Sequence, residues 1–330
     1  MSALVQQIRR TIRRHQLCPP GTRLLVGVSG GSDSVALTFL LLDLAKHGEF
    51  SVASLAHLNH RLRADADRDE RFCRDLAARL ALPIVVESQD VHSYATSQRL
   101  SIEDAARRVR YDFLRRAATQ ARADRIAVGH TQDDQAETFL LKLLRGAGTT
   151  GLGGVYPRRG DVIRPLLDVS RSELRRYLES RAEPWVEDQS NADLRNPRNR
   201  IRHHTLPELD RASGGASRPA LARAAALVRE DAEWLDELSA RRYGEIVVSG
   251  PSGLEMDVQL LSREPRPIQR RIVLAALRAL AGSREIGLEH VESTVGVLEG
   301  TCGAVDVPGG RVELRRGKLV LYNEARGPAS

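Results

Sequence analysis

The stretch Leu24-Leu25-Val26-Gly27-Val28-Ser29-Gly30-Gly31-Ser32-Asp33-Ser34 decides how this chain folds. Leu24 to Val28 reads as a short buried strand, and Ser34 to about His47 carries the apolar pattern of a helix. Between them a glycine pair and three hydroxyls form the turn, where an anion is expected. Glycines let the backbone curl until successive N–H groups point at one centre, and a helix N-terminus adds about half a positive charge. Asp33 is expected to reach that anion through Mg²⁺, because a bare carboxylate repels phosphate. No GxxxxGK(S/T) occurs in the chain and no GxGxxG follows the strand, so the loop is not of the kind that transfers a terminal phosphate.

Beyond this turn, short apolar runs alternate with longer helical patterns, an order that predicts an α/β fold with a parallel sheet and helices on both faces. Strands are expected at Val52 to His57, Ile84 to Glu87 and Arg125 to Gly129. Helices are expected over Asp67 to Ala81, from a Ser101/Asp104 start to Arg122, over Gln132 to Leu144, and from a Ser170 cap to Arg181. Ser213-Gly214-Gly215-Ala216-Ser217 has the composition of a linker. It divides a domain over 1–212 from a smaller, mainly helical α+β domain over 218–330. In the latter, helices are expected over Pro219 to Arg242, Pro267 to Ala281 and Leu288 to Leu298, and a hairpin over Ala304 to Tyr322. Near the start, Val5, Ile8 and Ile12 form an apolar stripe. Together with Arg9, Arg10, Arg13 and Arg14 it suits a retained helix better than an organellar transit peptide.

The 330 residues are 42% hydrophobic and 28% charged, an ordinary globular composition, and no window approaches a membrane span. The net charge of +7 favours a polyanionic partner, although Lys46, Lys142 and Lys318 are the only lysines and arginine-rich codon usage explains the same excess. Cys18, Cys73 and Cys302 form neither a disulfide framework nor a CxxC pair, which fits a reducing cytoplasm.

Ser29 to Ser34 resembles the SGGxDS loop of the PP-loop ATP pyrophosphatases, a family that splits ATP between its α and β phosphates. The likeness continues through His57-Leu58-Asn59-His60-Arg61-Leu62-Arg63, Arg107 to Tyr111, and Gly129-His130-Thr131-Gln132-Asp133-Asp134-Gln135-Ala136-Glu137. It extends to Trp185-Val186-Glu187-Asp188 and Asn196-Pro197-Arg198-Asn199-Arg200-Ile201-Arg202. With these marks the chain is similar to the tRNA(Ile)-lysidine synthetases of the shorter bacterial type. The resemblance implies adenylation at C2 of the wobble cytidine (position 34) of the isoleucine tRNA with a CAU anticodon. The side-chain amine of free L-lysine then displaces AMP, and the product reads AUA rather than AUG.

That resemblance assigns tasks. Ser29, Gly30, Gly31, Ser32, Asp33 and Ser34, with His57, Asn59 and His60, are expected to bind ATP; Asp33 holds Mg²⁺. Asp134 and Glu137, three apart on one helix, share a face and suit the lysine ammonium or a metal. Arg110 joins them by resemblance, and Asp33, Arg110, His130, Asp134 and Glu137 make up the catalytic candidates. A carboxylate or a histidine serves as base for the amine; His57, His60 and His130 suit either that task or ATP contact. Arg195, Arg198, Arg200 and Arg202 are expected to meet tRNA phosphates, the last also by resemblance near the active site. Gly146 to Gly154 reads as a flap or a plain mobile loop, and Trp185 and Trp234 as base-stacking or packing residues.

Three rivals use the same features. A tRNA thiolase would carry cysteine pairs, which are missing, and a small-molecule amidating ligase would need an ammonia source. A non-catalytic RNA-binding module has no need of Asp33, Asp134 and Glu137. Longer relatives carry a further C-terminal domain, whereas this sequence stops at Ser330, so its grip on tRNA is expected to be distributed differently. A homodimer is compatible with the sequence.

Overall fold

The computed structural model describes residues 2–61, 66–187, 194, 196–250 and 253–323. The expectations for Leu62, Arg63, Asp188 and Arg195 therefore lie outside the described residues. The chain divides into two compact units, Met1–Arg229 and Glu230–Ser330.

The first unit begins with α1 (Ala3–Arg14), β1 (Thr22–Gly27), α2 (Ser32–Ala45), β2 (Phe50–Asn59), α3 (Ala66–Arg79) and β3 (Ile84–Ser88). It continues through α4 (Val91–Gln98), α5 (Ile102–Ala121), β4 (Arg125–Ala127), α6 (Gln132–Leu144), α7 (Thr149–Leu152), β5 (Arg158–Arg159), β6 (Val162–Ile163) and α8 (Arg171–Ser180). After α9 (Pro197–Arg200) a π-helical turn (Ile201–Thr205) leads into α10 (Leu206–Ala212) and α11 (Ser217–Ile246).

The sheet order is β3-β2-β1-β4-β6-β5, parallel except for the short β5 at the edge. The chain winds outward from β1 to β3 and then returns to the opposite side of β1 with β4. Such a reversal opens a crevice between the carboxyl ends of the two strands, the ligand position of doubly wound sheets.

Side-chain alternation along β1 explains why both faces are covered. Leu24 and Val26 join one core with Val5, Ile8 and Ile12 of α1, Leu37, Leu40 and Leu41 of α2, and Leu174 and Leu178 of α8. Leu25 points the other way, into a core with Val109, Phe113 and Leu114 of α5. The apolar stripe of the N-terminal helix is thus buried as the sequence predicts.

Elements start where the caps permit. Gly31 caps α2, so the helix begins at Ser32, two residues ahead of the predicted Ser34. Thr131 and Asp134 form a reciprocal capping box, and α6 has the predicted ends. The glycine-rich turn over residues 213–216, with Gly214 and Gly215 at positive φ, joins α10 to α11, and the division between the units falls within α11.

In the second unit come β7 (Val247–Gly250), β8 (Gly253–Asp257), α12 (Val258–Ser262), α13 (Arg266–Ala281) and α14 (Leu288–Leu298). They are followed by β9 (Ala304–Val307), β10 (Gly310–Arg315) and β11 (Lys318–Asn323). The antiparallel order β7-β8-β11-β10-β9 packs Val312, Leu319 and Leu321 against Ile272, Val273 and Leu277 of α13. The expected hairpin is a three-stranded meander. Pro308-Gly309 adds the extra turn: Gly309 has φ +94°, and a Cβ there would lie 2.8 Å from Ala281 Cα.

Candidate functional site

The crevice between β1 and β4 is lined by the two loops that follow these strands. In the first, Gly30 takes φ +88°, the left-handed region that favours glycine. Its carbonyl accepts from Val186 N at 2.9 Å, which seats the Trp185–Val186 segment on the loop. Ser34 Oγ accepts from Ser29 N at 3.1 Å and donates to Gly31 O at 2.9 Å, closing the turn from within. Among the described residues no side chain caps α2, so its first amides are available to an anion.

The second loop reaches this turn through a glycine. A Cβ on Gly129 would lie 3.1 Å from the carbonyl carbon and oxygen of Asp33 and 3.2 Å from Ser34 N. Two backbones therefore meet at the N-terminus of α2, and His130 and the start of α6 stand beside it.

Asp134 and Glu137 share a face of α6, and both are buried; Glu137 is 1% exposed. Carboxylates so enclosed need partners. Arg198 gives Nε to Glu137 Oε2 at 2.7 Å and an Nη to Asp134 Oδ1 at 3.0 Å. Arg202 grips Glu137 with two bonds, of 2.6 and 2.9 Å. A third cation, Arg171 at the start of α8, donates Nε to Asp33 Oδ2 at 3.0 Å and an Nη to Asp134 Oδ1 at 3.4 Å, with Glu137 3.9 Å away.

Arg171 was not among the residues expected from the sequence. The only local signal is its position between the capping pair Ser170 and Glu173, which fixes the helix start. Arg198 and Arg202 were expected to meet phosphate, Arg202 also to lie near the active site by resemblance; both turn inward to the acidic pair. This differs from a solvated row because the buried carboxylates offer stronger ion pairs than water does. Arg200 is exposed and donates to Leu194 O at 3.1 Å.

These charges set protonation. Burial alone would raise Asp134, yet Arg198 and Arg171 hold it below the usual carboxylate range. At Asp33 burial prevails, and its pKa stays raised despite Arg171. Burial, together with Arg110, Arg164 and Arg198, lowers His130 to about 3 against the pull of Asp134. His130 is therefore neutral, and its Nδ1 has no hydrogen-bond partner among the described residues.

At the end of β2, His57 Nδ1–H donates to Val28 O at 3.0 Å, and burial keeps the ring neutral. Its Nε2 is left as a buried acceptor without a partner among the described residues. Asn59 is held structurally, donating to Asp67 and Glu70 and accepting from Arg61 N. His60, half-buried, follows at the strand end, where its carbonyl accepts from Val91 N at 3.4 Å. Arg110 lies over the Tyr111 ring at 5.2 Å, and Tyr111 OH accepts from Arg164 at 3.3 Å.

The sequence left alternatives open for Gly146 to Gly154, Trp185 and Trp234. Residues 146–154 are not a glycine loop alone: α7 forms within them, and Gln135 ties the end by accepting from Val155 N at 2.7 Å and donating to Gly153 O at 3.2 Å. Trp185 packs against the core beside the loop and donates to Glu187 at 3.0 Å. Trp234 is 59% exposed on α11.

Mg²⁺ commonly uses one or two carboxylates and completes its shell with phosphate oxygens and water. Asp33, a half-buried carboxylate at the phosphate turn, suits that role. No group of three or more metal-binding side chains occurs among the described residues.

Residues 3–209 match the family model described as the PP-loop domain. The chain is 39% identical to the tRNA(Ile)-lysidine synthase of Geobacter sulfurreducens over 98% of its own length and 69% of the relative's. The corresponding protein of Symbiobacterium thermophilum is 40% identical over 85% of this chain and 60% of the relative. That of Chlorobaculum tepidum is 33% identical over 95% and 94%. Among solved structures, the U34-tRNA thiolase NcsA of Methanococcus maripaludis, with its [4Fe-4S] cluster, superimposes with a TM-score of 0.55 at 14% identity. That superposition covers 68% of this chain and 80% of the other, a likeness of fold.

Proposed function

The chain belongs to the tRNA(Ile)-lysidine synthases, ATP-dependent ligases built on a PP-loop domain, and from that membership we propose how its own residues divide the work. ATP lies across the β1/β4 crevice with its phosphates on the amides of α2, and Asp33 holds Mg²⁺ against them. The wobble cytidine of the CAU-anticodon isoleucine tRNA is adenylated at C2 with loss of pyrophosphate. The amine of L-lysine then forms the new C–N bond as AMP leaves.

The observation that carries this reading is the meeting of two unlike sites at one helix start. The anion-seeking turn of α2 touches the loop that presents Asp134 and Glu137, so a phosphate and an ammonium can be held side by side. Arg110, enclosed beside Tyr111 and free of an acidic partner in its described contacts, is placed to meet the lysine carboxylate. His130, held neutral next to Asp134, can accept a hydrogen bond there, but a pKa of about 3 makes it a weak base, so the proton of the lysine ammonium is assigned to the carboxylates of the acidic pair. Arg200 and the second unit are assigned to tRNA contact, and the reaction to the cytoplasm.

A thiolase reading finds no support in the cysteines. Burial pushes the thiols of Cys18 and Cys73 up to about 12, far from the thiolate form that sulfur or iron chemistry uses.

The test follows labelled ATP with Mg²⁺, lysine and the isoleucine tRNA, leaving out each component in turn and resolving AMP from ADP. AMP release that requires both tRNA and lysine is the expected result. AMP without a tRNA requirement points to a small-molecule ligase, and ADP removes the argument from the phosphate turn.

A further inference from the structure

Among the described residues, Arg171 is the one side chain shown to reach both halves of the site. Its guanidinium bonds to Asp33 at the phosphate turn at 3.0 Å and to Asp134 of the acidic pair at 3.4 Å, and lies 3.9 Å from Glu137. Its backbone N donates to Asp133 Oδ2 at 2.8 Å, and the Ser170–Glu173 box fixes the turn from which it projects. The main chain is thus anchored while a long, flexible side chain spans the gap.

Within the ion-pair cluster itself the formal charges balance. Asp33, Asp134 and Glu137 supply three negative charges, and Arg171, Arg198 and Arg202 three positive ones. An ammonium cannot enter the acidic pair without raising the local positive charge, unless a cation leaves. A polyphosphate on α2 brings negative charge to the Asp33 end and offers the Arg171 fork bidentate acceptors.

We propose that Arg171 is a positioning residue that couples the two substrate sites: without nucleotide it is one of three cations that neutralise the acidic pair, and ATP draws it to the phosphates and leaves one negative charge at Asp134 for the amine, while Arg198 and Arg202 stay in place. The inference rests on the reading of the acidic pair as the lysine site. Binding is then ordered by charge. Lysine meets a neutralised site in the free enzyme and one with a negative charge to spare once the nucleotide is seated, which matches the chemical sequence of adenylation before amine attack. Arg198 and Arg202 are not assigned this role, because their described bonds go to the acidic pair, whereas that of Arg171 also reaches Asp33.

Titration calorimetry of L-lysine into the full-length enzyme, with and without α,β-methylene-ATP and Mg²⁺, tests the coupling. In the wild type the analogue is expected to tighten lysine binding about tenfold, within the ~5–150-fold span of ordinary site coupling. In Arg171→Gln the lysine affinity is expected to be the same within about twofold in both arms, because that cation is gone. Arg171→Lys, which keeps the charge and loses the fork, is expected to restore part of the ratio. A merely structural role would lower affinity in both arms and leave the ratio intact, and that result overturns the proposal. So does a wild-type ratio below about twofold. Absence of lysine binding in every arm, including one with tRNA added, overturns the lysine-site reading and this coupling with it.

Discussion

Asp33 shows how a single carboxylate can be costly to the fold and necessary to the chemistry. Burial raises its pKa, so above that raised value the folded chain holds an anion that the unfolded chain solvates better. Asp33→Asn is therefore expected to abolish AMP formation while leaving the thermal midpoint at neutral pH unchanged or higher. A lowered midpoint would show that the Arg171 pair outweighs the burial cost. Glu137 behaves oppositely, because both its oxygens are paired. Glu137→Gln should raise KM for lysine at least tenfold and lose roughly 3 kcal/mol of stability in urea titrations. His130 sets a pH dependence. Its pKa is lowered to about 3, so between the ordinary value near ~6.5 and that point the unfolded chain takes up a proton that the folded chain refuses. Stability falls as pH drops through this window. Comparing urea midpoints at pH ~7 and ~5, His130→Gln should remove up to about 2 kcal/mol of that fall.

At the level of elements, legibility in the sequence followed local chemistry. Thr131/Asp134 and Ser170/Glu173 are contiguous capping signals, and the helices they open start where predicted. The phosphate turn was legible for the same reason, since its glycines and hydroxyls are neighbours. The meander was not, because Pro308-Gly309 was submerged in an alternating run that also suits a simple hairpin. Arg171 escaped notice because its partner Asp33 is 138 residues away, and no periodicity reports such a pair. The inward turn of Arg198 was hidden likewise, and that of Arg202 was signalled by family resemblance alone: a run of arginines looks the same in sequence whether it faces water or buried acids. Contact between elements also makes Gly129 a sensitive position. Gly129→Ala should push the β4 loop from the start of α2, cost about 1–3 kcal/mol and weaken ATP binding more than lysine binding. Calorimetry on the variant checks the order of the two effects.

For the whole molecule, the division inside α11 decides where it can be cut. Ser217 bonds to Asp210, Arg218 to Asp133 and Arg229 to Val155, so the start of this helix belongs to the first unit. A chain ended after Arg229 should bind ATP within a few-fold of the full chain and lose most of its tRNA affinity. One ended at residue 216 should lose stability as well. Filter binding of tRNA beside nucleotide titration separates these outcomes. No described helix is long and apolar enough to cross a membrane.

The glycine contact between Gly129 and the Asp33 backbone also bears on how the protein is made. The two loops lie far apart in the chain, and β4 reaches β1 only after β2, β3 and their helices have been laid down. A partly wound sheet of β1 to β3 has the phosphate turn but lacks the wall that completes it. ATP should then bind the finished domain far better than any earlier collapsed form, stabilising it by mass action. Such a ligand slows unfolding and leaves the rate of folding almost untouched. Nucleotide affinity during refolding would serve as a clock for the arrival of the fourth strand.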